Sequence, residues 1–123
     1  EIRACISAAR ELYPGKRITA VFQPHLFSRT NDLYQDFAKS LQLADEVVLM
    51  HIYPARELPM LGVTSELILD AIQDTDKVLV NDSELINELD RRQPEVLLTV
   101  GAGDIDKQVA KIKDFFTLKN QAQ

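Results

Sequence analysis

Apolar residues follow two alternating patterns along the chain. Ile2, Ile6 and Ala9 recur at the spacing of one helix face, and this pattern stops at 13–15, where Pro and Gly interrupt it. The next apolar segment, 18–22, is short and continuous and contains β-branched and aromatic residues. Such a run is typical of a strand that is covered on both faces. The same alternation continues towards the end of the chain.

These patterns predict five helices and four strands in alternation. The predicted helices lie near 2–13, 33–41, 67–72, 85–89 and 105–116, and the predicted strands near 18–22, 47–50, 77–80 and 95–100. The second helix has Thr30, Asn31 and Asp32 as candidate N-caps. Because strands joined through helices run parallel, this order predicts a three-layer α/β fold, with a mainly parallel sheet and helices on both faces.

Composition restricts the class of protein further. The chain has 123 residues, 46% of them hydrophobic, which suits one core and leaves no material for a second domain. The single cysteine, Cys5, excludes a disulfide scaffold and fits a reducing compartment. A formal charge of −5 disfavours sequence-independent binding to nucleic acid, and no apolar run is long enough to cross a bilayer. We therefore expect a cytoplasmic domain without nucleic-acid or membrane partners.

Three strand-to-helix turns carry most of the polar side chains. They are 23–30 after the first strand, 51–57 after the second and 101–104 after the fourth. In an open parallel sheet all strands end at the same edge, and ligands bind in the crevice outside those carboxyl ends. We therefore expect the three turns to meet at one ligand-binding edge.

Two residues of the first turn suggest a ligand site. Arg29 lies near the start of a helix, where a cation is unfavourable beside the helix dipole, so an anionic ligand would explain it. A surface arginine that covers Phe27 is the structural alternative. His25 could orient a ligand or act as a base near neutral pH, although a hydrogen-bonded structural histidine is the commoner case.

The other two turns give weaker signals. Arg56 and Glu57 could hold the two ends of a zwitterion or form a solvated ion pair. Gly101 and Gly103 would let a ligand approach the backbone, but Asp104 disfavours a phosphate at the start of the following helix. Asp104 is therefore interpreted as a helix cap or as a contact for an ammonium group.

Several features of a self-sufficient enzyme are missing from the sequence. It has no phosphate-binding G-x-x-x-x-G-K-[ST] motif, no metal-ligand cluster and no nucleophile with a nearby base. The chain also starts at Glu1 rather than at a methionine, and helical periodicity begins at once. We therefore expect residues 1–123 to be one domain of a longer protein and to be inactive alone.

The polar turns resemble motifs of a known family. Residues 22–30 (FQPHLFSRT), 53–57 (YPARE) and 101–105 (GAGDI) are similar to segments of the C-terminal domain of the Mur ligases. The motifs occur in the same order and at the same spacing, and the similarity covers the whole chain. Among these ligases, the resemblance is to those that join L-alanine to UDP-N-acetylmuramate.

The resemblance implies a three-domain, ATP-dependent amide ligase of peptidoglycan precursor synthesis. ATP would phosphorylate the carboxylate of UDP-N-acetylmuramate, and the amine of L-alanine would attack the acyl phosphate. ATP and Mg²⁺ would be bound mainly by domains absent from this chain, over which the C-terminal domain would close as a lid. The implied catalytic residue is His25, and the implied substrate-binding residues are His25, Arg29, Thr30, Tyr53, Arg56, Gly103 and Asp104.

Two other interpretations remain open from the sequence. The chain could be a stand-alone, doubly wound module that binds a nucleotide or a small anion. It could also be the same domain of a sibling ligase that adds a peptide to UDP-N-acetylmuramate. Many family members have arginine where Leu26 stands, so Arg29 is expected to carry more of the anion binding in this chain.

Overall fold

Helices and strands alternate along the chain. A computed structural model describes the backbone of residues 1–101 and 105–122, and the side chains of 1–101 and 108–121. The helices are α1 (Ile2–Leu12), α2 (Phe27–Leu41), α3 (Glu66–Ala71), α4 (Leu85–Arg92) and α5 (Ile105–Ala122), and the strands are β1 (Ile18–Gln23), β2 (Glu46–Met50), β3 (Asp76–Val80) and β4 (Val96–Gly101). None of the helices in these ranges is long and apolar enough to cross a membrane.

The four described strands form one parallel sheet in the order β3-β2-β1-β4. β1 lies between β2 and β4, so that Val21 pairs with Val48 on one side and with Thr99 on the other. The chain moves outward from β1 to β3 and then returns across the sheet to β4. The strand order therefore reverses between β1 and β4, and ligands of open α/β sheets bind at such a reversal.

Apolar cores cover both faces of the sheet. Helices α1, α2 and α3 pack on one face, where Ala20 and Leu49 are fully buried. Helices α4 and α5 pack on the other face, over Val21 and Val48. Strands buried on both faces require continuous apolar runs, which is the pattern in the sequence. The predicted three-layer α/β fold is confirmed.

Helix α2 begins earlier than its apolar pattern predicts. Its first helical residue is Phe27, so Thr30, Asn31 and Asp32 lie within the helix and not at its N-cap. The N-cap position is occupied by Leu26, whose side chain has no acceptor for the free N–H groups. A residue from a distant loop caps this helix instead.

A network of ion pairs closes the amino edge of the sheet, opposite the ligand edge. The Arg92 side chain is only 7% exposed, and its Nη1 donates to Glu46 (2.8 Å) and to Asp76 (3.0 Å). Its Nε donates to Glu88 (2.7 Å). Because an unpaired charge is costly at a buried position, these pairs hold the ends of α4, β2 and β3 together.

Candidate functional site

A cavity of about 620 Å³ lies where the strand order reverses. Its walls include Gln23 and His25 at the end of β1, Arg29 and Asp36 on one face of α2, and Gly101 at the end of β4. A cavity of this size accommodates a small organic molecule. The position agrees with the ligand edge expected from the sequence.

Gly101 allows β4 to end close against β1. Its φ is +133°, a conformation that residues with a side chain rarely adopt. A Cβ atom on residue 101 would lie 2.5 Å from the backbone oxygen of Gln23, well inside van der Waals contact. Glycine is therefore required here by the packing of the two strand ends that form the cavity.

The loop that follows β2 holds the turn after β1. The Tyr53 N–H donates to the oxygen of Pro24 (2.8 Å), and the Leu26 N–H donates to the oxygen of Tyr53 (2.9 Å). The rings of His25 and Tyr53 stack, with their centroids 5.9 Å apart and an interplanar angle of 16°. These contacts hold Leu26 at φ +72° and ψ 138°, which is a rare conformation for a bulky residue. His25 is thereby fixed at the wall of the cavity.

Glu57 of the same loop caps α2. Its Oε1 accepts a hydrogen bond from the Ser28 N–H (3.1 Å), and its Oε2 accepts one from the Ser28 hydroxyl. A carboxylate is a favourable acceptor for the N–H groups of a first helical turn. The Ser28 hydroxyl and then the Ser28 N–H hold the pKa of Glu57 below its ordinary value. Glu57 is therefore engaged with α2, and the interpretation in which it binds one end of a zwitterion is not supported.

Arg29 places a cation at the cavity. It lies in the first turn of α2, and its side chain is exposed. It forms no ion pair or hydrogen bond with the side chains described for 1–101 and 108–121. Its guanidinium is a donor for an anionic group of a ligand, whereas the positive end of α2 is already occupied by the carboxylate of Glu57.

The structure brings some of the predicted site residues together. His25 and Arg29 both line the cavity. Tyr53 contributes indirectly, through its stacking on His25. Arg56 is exposed in the loop and is not part of the cavity wall. The second turn therefore supports the site mainly by positioning His25 and α2.

Other predicted site residues do not contact the cavity or lie outside the described residues. Thr30 is buried, and its hydroxyl donates to the oxygen of Leu26 (2.9 Å) within the helix. Gly103 and Asp104 lie outside the described residues, so their predicted roles stay predictions. Of the third turn, Gly101 lines the cavity, and the first and third turns thus meet at one edge.

Several polar residues that line the cavity are not singled out by the sequence patterns, among them Gln23, Asp36 and Ser40. Asp36 and Ser40 follow Arg29 by seven and eleven positions, which places all three on one face of α2. This spacing is visible in the sequence, but it does not reveal that the face borders a cavity. Gln23 was missed because a polar residue at the end of a strand gives no signal that it is buried.

The described part of the site offers charge and hydrogen bonds. The polar residues at the cavity are Arg29, His25 and Gln23, together with the carboxylates Glu1 and Asp36 and the hydroxyl residues Ser40 and Thr99. No group of three or more His, Cys, Asp or Glu residues in the described ranges could hold a metal ion. The arrangement suits a small ligand with an anionic end and with hydrogen-bond donors.

Comparison with known proteins identifies the family. A family model described as Mur ligase, glutamate ligase domain, matches residues 1–103. The chain belongs to the Mur ligase C-terminal domain family. This Mur ligase domain is 54% identical over 116 residues, 94% of its length, to a UDP-N-acetylmuramate–L-alanine ligase of Porphyromonas gingivalis (strain W83). It is 52% identical to the ligase of the same name from Flavobacterium psychrophilum and 50% identical to that from Cytophaga hutchinsonii, each over 92% of the chain. It spans about a quarter of the length of these relatives (24–25%).

Proposed function

We propose that this Mur ligase domain is the C-terminal part of a ligase that joins L-alanine to UDP-N-acetylmuramate and cleaves ATP. The proposal rests chiefly on the cavity at the strand reversal, which is lined by both Arg29 and His25. Relatives named for this reaction, which align over 92–94% of the chain, support it. Because these relatives are named for L-alanine, a ligase that adds a peptide is less favoured.

The reaction requires an activated carboxyl group and a neutral amine. ATP transfers its γ-phosphoryl group to the carboxylate of UDP-N-acetylmuramate and leaves as ADP. The amine of L-alanine then attacks the acyl carbon, loses a proton, and phosphate departs with the electrons of the broken C–O bond. We propose that ATP and Mg²⁺ are held mainly by other parts of the ligase, since this chain has no G-x-x-x-x-G-K-[ST] motif. The domain alone should therefore not catalyse the reaction.

Arg29 and His25 have complementary roles in this proposal. L-Alanine is small and zwitterionic, so its recognition depends on polar contacts more than on apolar area. Arg29 binds the carboxylate of the amino acid through charge-assisted hydrogen bonds from its guanidinium. His25, held by Tyr53, orients the amine or accepts its proton.

Substitution of Arg29 tests the proposal in the complete ligase. L-Alanine-dependent phosphate release is measured for wild type and for Arg29→Ala. A charge-assisted hydrogen bond is worth about 1.5 to 3 kcal/mol, so kcat/KM for L-alanine should fall roughly 10- to 100-fold. Arg91→Ala is the control, because Arg91 is 67% exposed on α4, away from the cavity. If KM and kcat for L-alanine are unchanged in Arg29→Ala, Arg29 does not bind the amino acid.

The pH dependence of the rate distinguishes the two roles proposed for His25, which are to orient the amine and to accept its proton. Glutamine at position 25 retains hydrogen-bonding groups but does not titrate. If His25 accepts the proton, the pH–rate profile of His25→Gln loses one limb. A profile of unchanged shape would leave His25 only the orienting role.

A further inference from the structure

Gln23 is a buried polar residue that the proposed mechanism does not yet use. It is the last residue of β1, is only 4% exposed, and lines the cavity. Its Oε1 is hidden from solvent and has no hydrogen-bond partner within the described residues. Buried acceptors are nearly always paired in folded proteins, because an unpaired one is destabilising. The lack of a partner therefore points to a donor that arrives with a ligand.

The carboxamide of Gln23 is loosely held. Its Nε2 lies 3.5 Å from the oxygen of His51, which is a long hydrogen bond. The last torsion of a glutamine side chain has a broad energy minimum, so the amide can turn towards a ligand at little cost. The backbone of Gln23, in contrast, is fixed by its close packing against Gly101.

We propose that Gln23 accepts a hydrogen bond from the amino group of the incoming amino acid and so helps to determine substrate specificity. The inference rests on the proposed function. Arg29 supplies the cation for the anionic end of the zwitterion, and the remaining group of the zwitterion is a hydrogen-bond donor. The atom of Gln23 that lacks a partner is the acceptor oxygen, whereas its nitrogen already faces His51. The unpaired atom of Gln23 is thus a hydrogen-bond acceptor, and the amine of the amino acid is a donor.

A neutral acceptor has a chemical advantage at this position. The exposed carboxylate of Asp36 also borders the cavity, but a carboxylate stabilises the ammonium form and raises the pKa of an amine. The nucleophile must be the neutral amine with a free lone pair. An amine that donates one N–H to an amide oxygen keeps that lone pair available for the acyl carbon.

Gln23→Leu tests the inference in the complete ligase, because leucine has a similar volume and no acceptor. We expect the KM for L-alanine to rise at least 10-fold and the KM for ATP to stay within 2-fold. We also expect the chain 1–123 to unfold at a higher temperature, since an unpaired buried acceptor has been removed. Gln35→Leu makes the same chemical change at an exposed position of α2 and should alter none of these quantities.

A purely structural role gives the opposite pattern. The melting temperature and the maximal rate of Gln23→Leu would then fall, and the KM for L-alanine would not change. Either that result or unchanged kinetics overturns the inference. If the wild-type ligase releases no phosphate in response to L-alanine, the proposed function fails, and the role of Gln23 fails with it.

Gln23→Glu distinguishes an amine from an anion as the bound group. Glutamate retains the acceptor, so activity should persist. The pH range over which the rate increases should shift upward, because the carboxylate raises the pKa of the bound amine. An anion at this position would be repelled, and activity would be lost at every pH although Gln23→Leu remains active. That outcome would contradict the inference.

Discussion

Replacement of Gly101 by alanine tests the strand packing that forms the cavity. The added carbon would start 2.5 Å from the backbone oxygen of Gln23, whereas ordinary contact begins near 3.4 Å. The two strand ends must therefore separate by about 0.9 Å, and both contact points are backbone or directly attached to it. The walls of the cavity should move with them.

The expected loss of stability has two parts. Forcing alanine to an unfavourable positive φ costs about 1 to 3 kcal/mol, and overpacking costs about 1 to 3 kcal/mol. The free energy of unfolding should therefore fall by roughly 2 to 6 kcal/mol. Gly15→Ala is the matched control, because Gly15 has φ +78° and no atom lies within 4 Å of the added carbon. That variant should lose only about 1 kcal/mol, from the backbone conformation.

Urea denaturation of the chain 1–123, followed by circular dichroism, measures both variants. The slope of the free energy against urea concentration should stay constant, since the surface exposed on unfolding hardly changes. If Gly101→Ala costs no more than Gly15→Ala, the close approach of β4 to β1 is wrong. The geometry assigned to the cavity would then be wrong as well.

Two further predictions concern the two edges of the sheet. Arg92→Leu should lower the free energy of unfolding by about 3 kcal/mol or more, because it leaves Glu46 with fewer partners at a buried position. The exposed control Arg91→Leu should cost less than about 1 kcal/mol in the same urea assay. Equal losses of stability in the two variants would contradict the ion-pair network. Since the folded pKa of Glu57 is lowered from 4.5, its cap on α2 should be fully present above pH 4.5 and lost as the pH falls through the lower folded value. The NMR shift of the Ser28 amide should follow this titration and Glu57→Gln should abolish it, so a titration that persists in the variant would contradict the cap.

Patterns in the sequence suffice for the fold and for the ligand edge. Continuous apolar runs at β1 and β2 predict strands that are covered on both faces, and alternation with helices predicts a parallel sheet. The carboxyl ends of such strands meet at one edge by geometry, so Arg29 and Gly101 could be expected at the same crevice. These features depend on the periodicity of apolar residues and on the order of the elements, and both can be taken directly from the sequence.

Contacts between distant residues were not predictable in this way. Glu57 caps α2 through Ser28, 29 positions away, and neither residue carries a local capping pattern that shows the pair. The apolar pattern therefore predicts a start for α2 that is too late in the chain. Burial also decides roles that residue type leaves open, as for Thr30, whose hydroxyl bonds within its own helix. The missing partner of Gln23 likewise depends on packing that no sequence pattern records.

Chemical modification of arginines in the complete ligase tests most directly whether a substrate occupies the cavity at Arg29. Phenylglyoxal reacts with accessible guanidinium groups, and mass spectrometry gives the rate at each arginine with and without UDP-N-acetylmuramate, a non-hydrolysable ATP analogue and L-alanine. Addition of L-alanine to the other two should slow modification of Arg29 and leave 67%-exposed Arg91 unaffected. Equal rates at Arg29 with and without L-alanine, or protection confined to Arg56, would contradict the site.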